Sequence, residues 1–280
     1  MQRQLESSSP YNNLFIYYFN GRLDLRQEQF GDDFIGNWEE GDTSFLFFSE
    51  SAEDRIEQLL RVQPHLTLKD QFCMSYDQWH GEPVNPFRVG RFLIMPPWKS
   101  IDADKNDVPI VLDPGVVFGA GTHPTTRDCL EAIEIVCHNH HVESSLDLGT
   151  GTGLLAIAAA RLGCRQTLAV DNNFLAAKTA RKNVVLNKLQ DHIGVVCGRA
   201  EDFLACSVDL LIANIHYDVM KKLIFDPGFL QKQWVVLSGL LRSEAAHVEA
   251  QLSKHHVTII KRWIKDGIWH TICGKGTGKY

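Results

Sequence analysis

The sequence predicts an α/β fold: a doubly wound, seven-stranded, mostly parallel sheet with a smaller N-terminal α+β domain ahead of it. Three observations predict it. Beyond residue 143, short apolar runs alternate with helix-like segments, the pattern of parallel strands joined by crossover helices. The first of those runs ends in Gly149-Thr150-Gly151-Thr152-Gly153, a glycine-rich turn that opens a helix. The last two runs flank Lys265-Asp266-Gly267, whose Asp-Gly pair is a hairpin signal, so the sheet finishes antiparallel.

In chain order, residues 14–19 and 44–48 read as strands and 52–62 as a helix, giving a small α+β domain over 1–90. Met95-Pro96-Pro97-Trp98 and the polar stretch 102–107 have turn-forming composition and mark a linker, 91–115, before a larger domain, 116–280. In that domain 144–148, 167–170, 194–197, 208–212 and 234–237 read as buried strands. Helices are expected over 154–162 and 174–186, and 257–263 with 268–273 form the closing hairpin.

Composition sets the bounds. With 44% hydrophobic and 22% charged residues in 280, the chain is ordinary globular material. No apolar run approaches the ~20 residues of a membrane span, and Met1-Gln2-Arg3-Gln4-Leu5 has no apolar signal core. A soluble, unexported, cytoplasmic monomer is the expectation. The seven cysteines are scattered without a Cys-x-x-Cys pair, which fits reduced, packed thiols. His138-Asn139-His140-His141 lacks partner ligands at metal-binding spacing, so no metal site is expected. A net charge of −6 disfavours wrapping a phosphate backbone and is compatible with a basic protein as partner.

The chemistry concentrates at the strand ends. In the turn after the first parallel strand, Gly149, Gly151 and Gly153 divide three jobs: a tight turn, close approach of backbone to a ligand, and packing of helix on strand. A dinucleotide would want glycine where Leu154 stands, and Asp147 would repel its pyrophosphate. S-adenosylmethionine has no phosphate and carries an ammonium group that Asp147 can orient, directly or through water. Asp171, 22 residues after Gly149, either caps the following helix or accepts hydrogen bonds from both ribose hydroxyls. Gly198-Arg199-Ala200-Glu201-Asp202 reads equally as a polar loop or as the resting place of adenine. After the fourth strand, Asn214 can accept a hydrogen bond from an amine and hold its lone pair towards a sulfonium methyl. Tyr217 completes an Asn-x-x-Tyr spacing in which the ring would stack on an acceptor.

One further run carries a family likeness. Asp113-Pro114-Gly115-Val116-Val117-Phe118-Gly119-Ala120-Gly121-Thr122-His123-Pro124-Thr125-Thr126 strongly resembles the signature of ribosomal protein L11 methyltransferases. The likeness continues through the glycine turn, Asp171, Ala213-Asn214-Ile215, Leu237-Ser238-Gly239-Leu240-Leu241 and 269–274, so it covers roughly 85–275. The resemblance implies the class I methyltransferase fold, with S-adenosylmethionine held between the loop from Phe118 to Thr126 and the sheet edge. It further implies that Thr126, Gly149, Asp171 and Asn214 contact that cofactor. The activity it implies is methylation of protein amines, lysine side chains and an N-terminal amine, on ribosomal protein L11. Without the resemblance, the loop reads as a helix cap in which Thr125 or Thr126 caps a helix starting near Arg127. His123 is expected to be structural, and Trp263 and Trp269 to pack in the core. Two features depart from the family: bulky His216 and Tyr217 follow Asn-Ile, and little room for a helix exists between Phe19 and Phe34. The alternative acceptors are another protein, a glutamine amide or a nucleobase; no direct nucleic-acid contact is expected.

Overall fold

A computed structural model describes residues 9–24 and 30–276. The amino-terminal start and 25–29, inside the interval from Phe19 to Phe34, lie outside the described residues. The chain forms two compact units, one running to Asn85 with Asn173–Leu175 and one holding Pro86–Asn172 and the chain from Ala176 on.

In the first unit, β1 (Asn13–Asn20), β2 (Phe34–Glu40), β3 (Thr43–Phe48) and β4 (Thr67–Ser75) make an antiparallel sheet in the order β2-β3-β1-β4. Helix α1 (Glu53–Val62) buries Ile56 and Leu59 against Tyr17, Phe19, Leu46 and Phe48. These alternate along β1 and β3, as one buried sheet face requires. Short α2 (Tyr76–His80) is closed by a Ser75–Gln78 capping box and by Gly81 in the left-handed region.

The second unit begins with β5 (Phe87–Val89), β6 (Phe92–Met95) and β7 (Val108–Val111), a three-stranded sheet in that order. The interval 91–115, expected as a linker, therefore holds two of its strands. Next come α3 (Pro124–Asn139), β8 (Ser144–Leu148), α4 (Leu154–Arg161), β9 (Gln166–Asp171), α5 (Phe174–Leu186) and β10 (Ile193–Cys197). A 3-10 turn at Ala200–Phe203 leads to β11 (Leu210–Asn214), α6 (Tyr217–Leu223), α7 (Pro227–Leu230), β12 (Trp234–Leu240) and α8 (Arg242–Lys254). The close is β13 (Thr258–Lys265) and β14 (Trp269–Lys275), joined by Asp266 and Gly267 at φ 55° and 67°, a turn with two left-handed residues.

The seven strands run β10-β9-β8-β11-β12-β14-β13, with β14 alone running against the other six. Chain order reverses between β8 and β11, the switch point at which open α/β sheets bind ligands. Side-chain alternation loads both faces: Ile212 and Val236 meet Leu130, Ile133 and Ile157 on one side, while Leu211, Val235 and Leu237 meet Met220, Leu223 and Val248 on the other. No helix among the described residues is long and apolar enough to cross a membrane.

Candidate active site

Strand register places the candidates in one rank. Leu148 pairs with Val170 on one side and Ala213 on the other, so Gly149, Asp171 and Asn214 all lie one residue further, at the carboxyl edge. At about 4.8 Å per strand, Asp171 and Asn214 flank the turn from two strands apart, roughly 10 Å.

The three glycines all adopt positive φ, 71°, 56° and 84°. A Cβ on Gly149 would stand 2.2 Å from Ile215 Cγ2, one on Gly151 2.5 Å from the Phe118 carbonyl oxygen, and one on Gly153 3.1 Å from Ala180 Cβ. The close packing is thus against the signature loop, the segment after β11 and helix α5, rather than of helix on strand. The turn is pinned from below, since Gly149 and Thr150 donate to the Val170 carbonyl at 2.8 and 3.0 Å.

Asp147 is 1% exposed at the end of β8. Its Oδ2 accepts from Thr150 Oγ1 at 2.6 Å and from the Ala156 amide at 3.1 Å, while its buried Oδ1 has no hydrogen-bond partner. Burial pushes its pKa up to about 7 against those two hydrogen bonds. An unpaired buried carboxylate oxygen is costly, and either a proton on it or a cation near it would relieve that cost. Asp171 Oδ2 accepts from the Gly151 amide at 2.9 Å, which ties the acid to the turn, and the Asp171 carbonyl accepts from Gly198 at 2.9 Å. That bond brings 198–202 beside the rank.

Asn214 is half-buried and donates Nδ2 to Thr126 Oγ1 at 3.3 Å, which leaves its oxygen as the end able to accept from an amine. Thr126 lies in the first turn of α3, 2% exposed. The cap of α3 is His123, not a threonine: its Nδ1 meets Thr125 Oγ1 at 2.7 Å, and Pro124 occupies the first helical position. Proline pre-sets φ and lacks the N–H that a helix start leaves unpaired, so the helix begins three residues earlier than its sequence signal implied. Burial lowers the His123 pKa.

Phe118 is 57% exposed, with its carbonyl over Gly151. Trp263 is buried and donates Nε1 to Glu131 at 2.8 Å. Trp269 is not part of the core expected for it: its ring meets His123 edge-on at 5.2 Å at the carboxyl edge, and Phe118 also meets His123 edge-on, at 5.5 Å. Tyr217 opens α6 with its hydroxyl bonded to His247 Nδ1 on α8. His140 stacks on Trp234, and His141 pairs with Glu143. The side-chain roles of Thr150 and Thr152, which stand inside the glycine run, and of His247 were not legible in the sequence.

A parallel sheet in this order, closed by a hairpin, with a glycine turn after β8, an acid ending β9 and an asparagine ending β11, defines the class I methyltransferase fold. The chain belongs to the ribosomal protein L11 methyltransferase (PrmA) family, whose sequence model matches residues 54–277. A protein named ribosomal protein L11 methyltransferase from Desulfitobacterium hafniense is 40% identical over 212 residues, covering 74% of this chain and 65% of its own length. The match thus spans just under two-thirds of that relative. A protein of the same name from Listeria welshimeri is 34% identical, covering 89% of this chain and 86% of its own. Among solved structures, ribosomal protein L11 methylase from Lactobacillus delbrueckii subsp. bulgaricus superposes with TM-score 0.60 at 28% identity, covering 69% of this chain and 98% of that one.

Proposed function

We propose that this chain is a cytoplasmic, monomeric S-adenosylmethionine-dependent N-methyltransferase that methylates amino groups of ribosomal protein L11, lysine side chains and an N-terminal amine. The observation that carries it is the rank at the carboxyl edge, with an unsatisfied buried carboxylate, Asp147, behind a glycine turn, Asp171 beside it and Asn214 two strands away. Bound S-adenosylmethionine supplies a methyl group activated by its sulfonium charge. Asp147 would orient the ammonium of its methionine part, directly or through water, Asp171 would accept from the ribose hydroxyls, and the backbone of Gly149, Gly151 and Gly153 would permit the close approach.

Asn214 orients the acceptor amine through its carbonyl oxygen while Thr126 holds the other end of the amide. The acceptor lysine, ordinarily near pKa ~10.4, must arrive neutral. A loop that closes over the edge, with exposed Phe118 on it, excludes water and so favours the uncharged amine. Tyr217 follows Asn214 by three residues, at the start of α6. Its hydroxyl is held by His247, which fits a fixed ring better than a hydroxyl acting on substrate.

The test is transfer of labelled methyl from S-adenosylmethionine into purified L11 and, in parallel, whole lysate, with labelled proteins identified by mass spectrometry. Label on L11 amines is the expected result. Label on another protein, on a glutamine amide or on nucleic acid would keep the chemistry and replace the substrate.

A further inference from the structure

The signature loop and the glycine turn are joined by an element outside both. Asn183 and Asn187 stand four apart on α5, so they share a face with a rise of about 6 Å. Val111 and Asp113 are alternate residues of an extended segment, about 6.6 Å apart. The two spacings match, and each carboxamide pairs with one backbone unit as a neighbouring strand would. Asn187 Oδ1 accepts from the Val111 amide at 3.0 Å and its Nδ2 donates to the Val111 carbonyl at 2.6 Å. Asn183 Oδ1 accepts from the Asp113 amide at 2.8 Å and its Nδ2 donates to the Asp113 carbonyl at 2.9 Å.

Asn183 does one thing Asn187 does not. Its Nδ2 also donates to the Thr152 carbonyl, at 2.9 Å, inside the glycine turn. Thr152 in turn donates its hydroxyl to the Gly119 carbonyl at 2.7 Å, in the middle of the loop. Both Asn183 and Thr152 are 0% exposed, and Lys182 reinforces the loop root through Asp113 Oδ2 at 2.6 Å. Gly115, Gly119 and Gly121 all have positive φ, so the loop itself has little side chain to fix its path.

We propose that Asn183 is a positioning residue for the cofactor site, locking the root of the 113–126 loop to the glycine turn so that the two halves of the site are set as one body. This rests on the reading of that site as the place of S-adenosylmethionine. Asn187 grips the same segment one step away without touching the turn, which makes it the control for plain structural loss.

The experiment compares Asn183→Ala with Asn187→Ala in the full chain, by calorimetry with S-adenosylmethionine and by amide hydrogen exchange across the loop. Removal of one buried ligand-site support is expected to weaken affinity by about tenfold or more in Asn183→Ala and to speed exchange at 115–122, with both nearly unchanged in Asn187→Ala. Equal effects of the two variants, or no effect of Asn183→Ala, overturn the proposal. If Asn183→Ala does not fold, Asn183→Ser keeps a small polar group in the buried position, but its single hydroxyl can donate to only one of the Asp113 and Thr152 carbonyls and so cannot join them; faster exchange at 115–122 is expected, and unaltered exchange refutes the lock. A wild-type chain that binds no S-adenosylmethionine sinks the cofactor reading, while the exchange comparison still decides the lock.

Discussion

Asn214, the last residue of β11, donates its side-chain amide to the hydroxyl of Thr126, in the first turn of α3, at 3.3 Å. The bond joins two segments 88 residues apart and fixes which end of the amide faces an acceptor. Asn214→Ala is expected to lower turnover by about a hundredfold, the scale of losing one oriented polar group at a reacting centre. Melting temperature should change little, since the residue is only half-buried. Thr126→Val should act through Asn214, so the double variant should be hardly worse than Asn214→Ala alone. Unchanged turnover in Asn214→Ala would remove its assigned role.

Asp171 holds the Gly151 amide and is assigned the ribose. Asp171→Ala should cost about 1.5 to 3 kcal/mol of cofactor affinity, the range for hydrogen bonds to a charged group. Calorimetric titration with S-adenosylmethionine reads this directly, and an unaltered affinity contradicts the ribose assignment.

Burial raises Asp147 to about 7 and Asp128 to about 6, from 3.8 in each case. Between 3.8 and those values the folded chain binds more protons than the unfolded one, so both groups stabilise least once ionised. Stability of the unliganded protein should therefore fall as pH rises from about 4 to 7 through this pair. Asp128→Asn should flatten that decline in scanning calorimetry.

A cofactor ammonium at Asp147 favours its ionised form, so binding should release a proton and affinity should increase with pH up to about 7. Calorimetry in buffers of different ionisation enthalpy would detect the proton. Asp147→Asn should abolish the release, and its persistence there would place the ammonium elsewhere.

Tyr217 can be split into ring and hydroxyl. Tyr217→Phe removes the bond to His247, worth about 1 kcal/mol, and should lower the melting temperature slightly while leaving kcat/KM for the protein acceptor intact. Tyr217→Ala should lower kcat/KM without altering affinity for S-adenosylmethionine. Equal losses in both variants would make the hydroxyl, rather than the ring, the working group.

The sequence by itself determined the seven-stranded α/β sheet, the hairpin and the residues that end β8, β9 and β11. Those signals are local: apolar runs of strand length, glycines where φ must be positive, an Asp-Gly turn, and a signature run between Asp113 and Thr126. It did not reveal β2, β4 or the strands β5 to β7, which are short or largely exposed and have no clean alternation. Nor did it locate the cap of α3, because His123 can cap only through the geometry of its own ring against Thr125. Only the tertiary structure decided which oxygen of Asp147 is left unpaired, which end of Asn214 faces an acceptor, that Tyr217 is held by His247, and that Asn183 bridges loop and turn. Each of these joins groups from different elements through directional hydrogen bonds, and hydrophobic periodicity carries no information about where such partners meet.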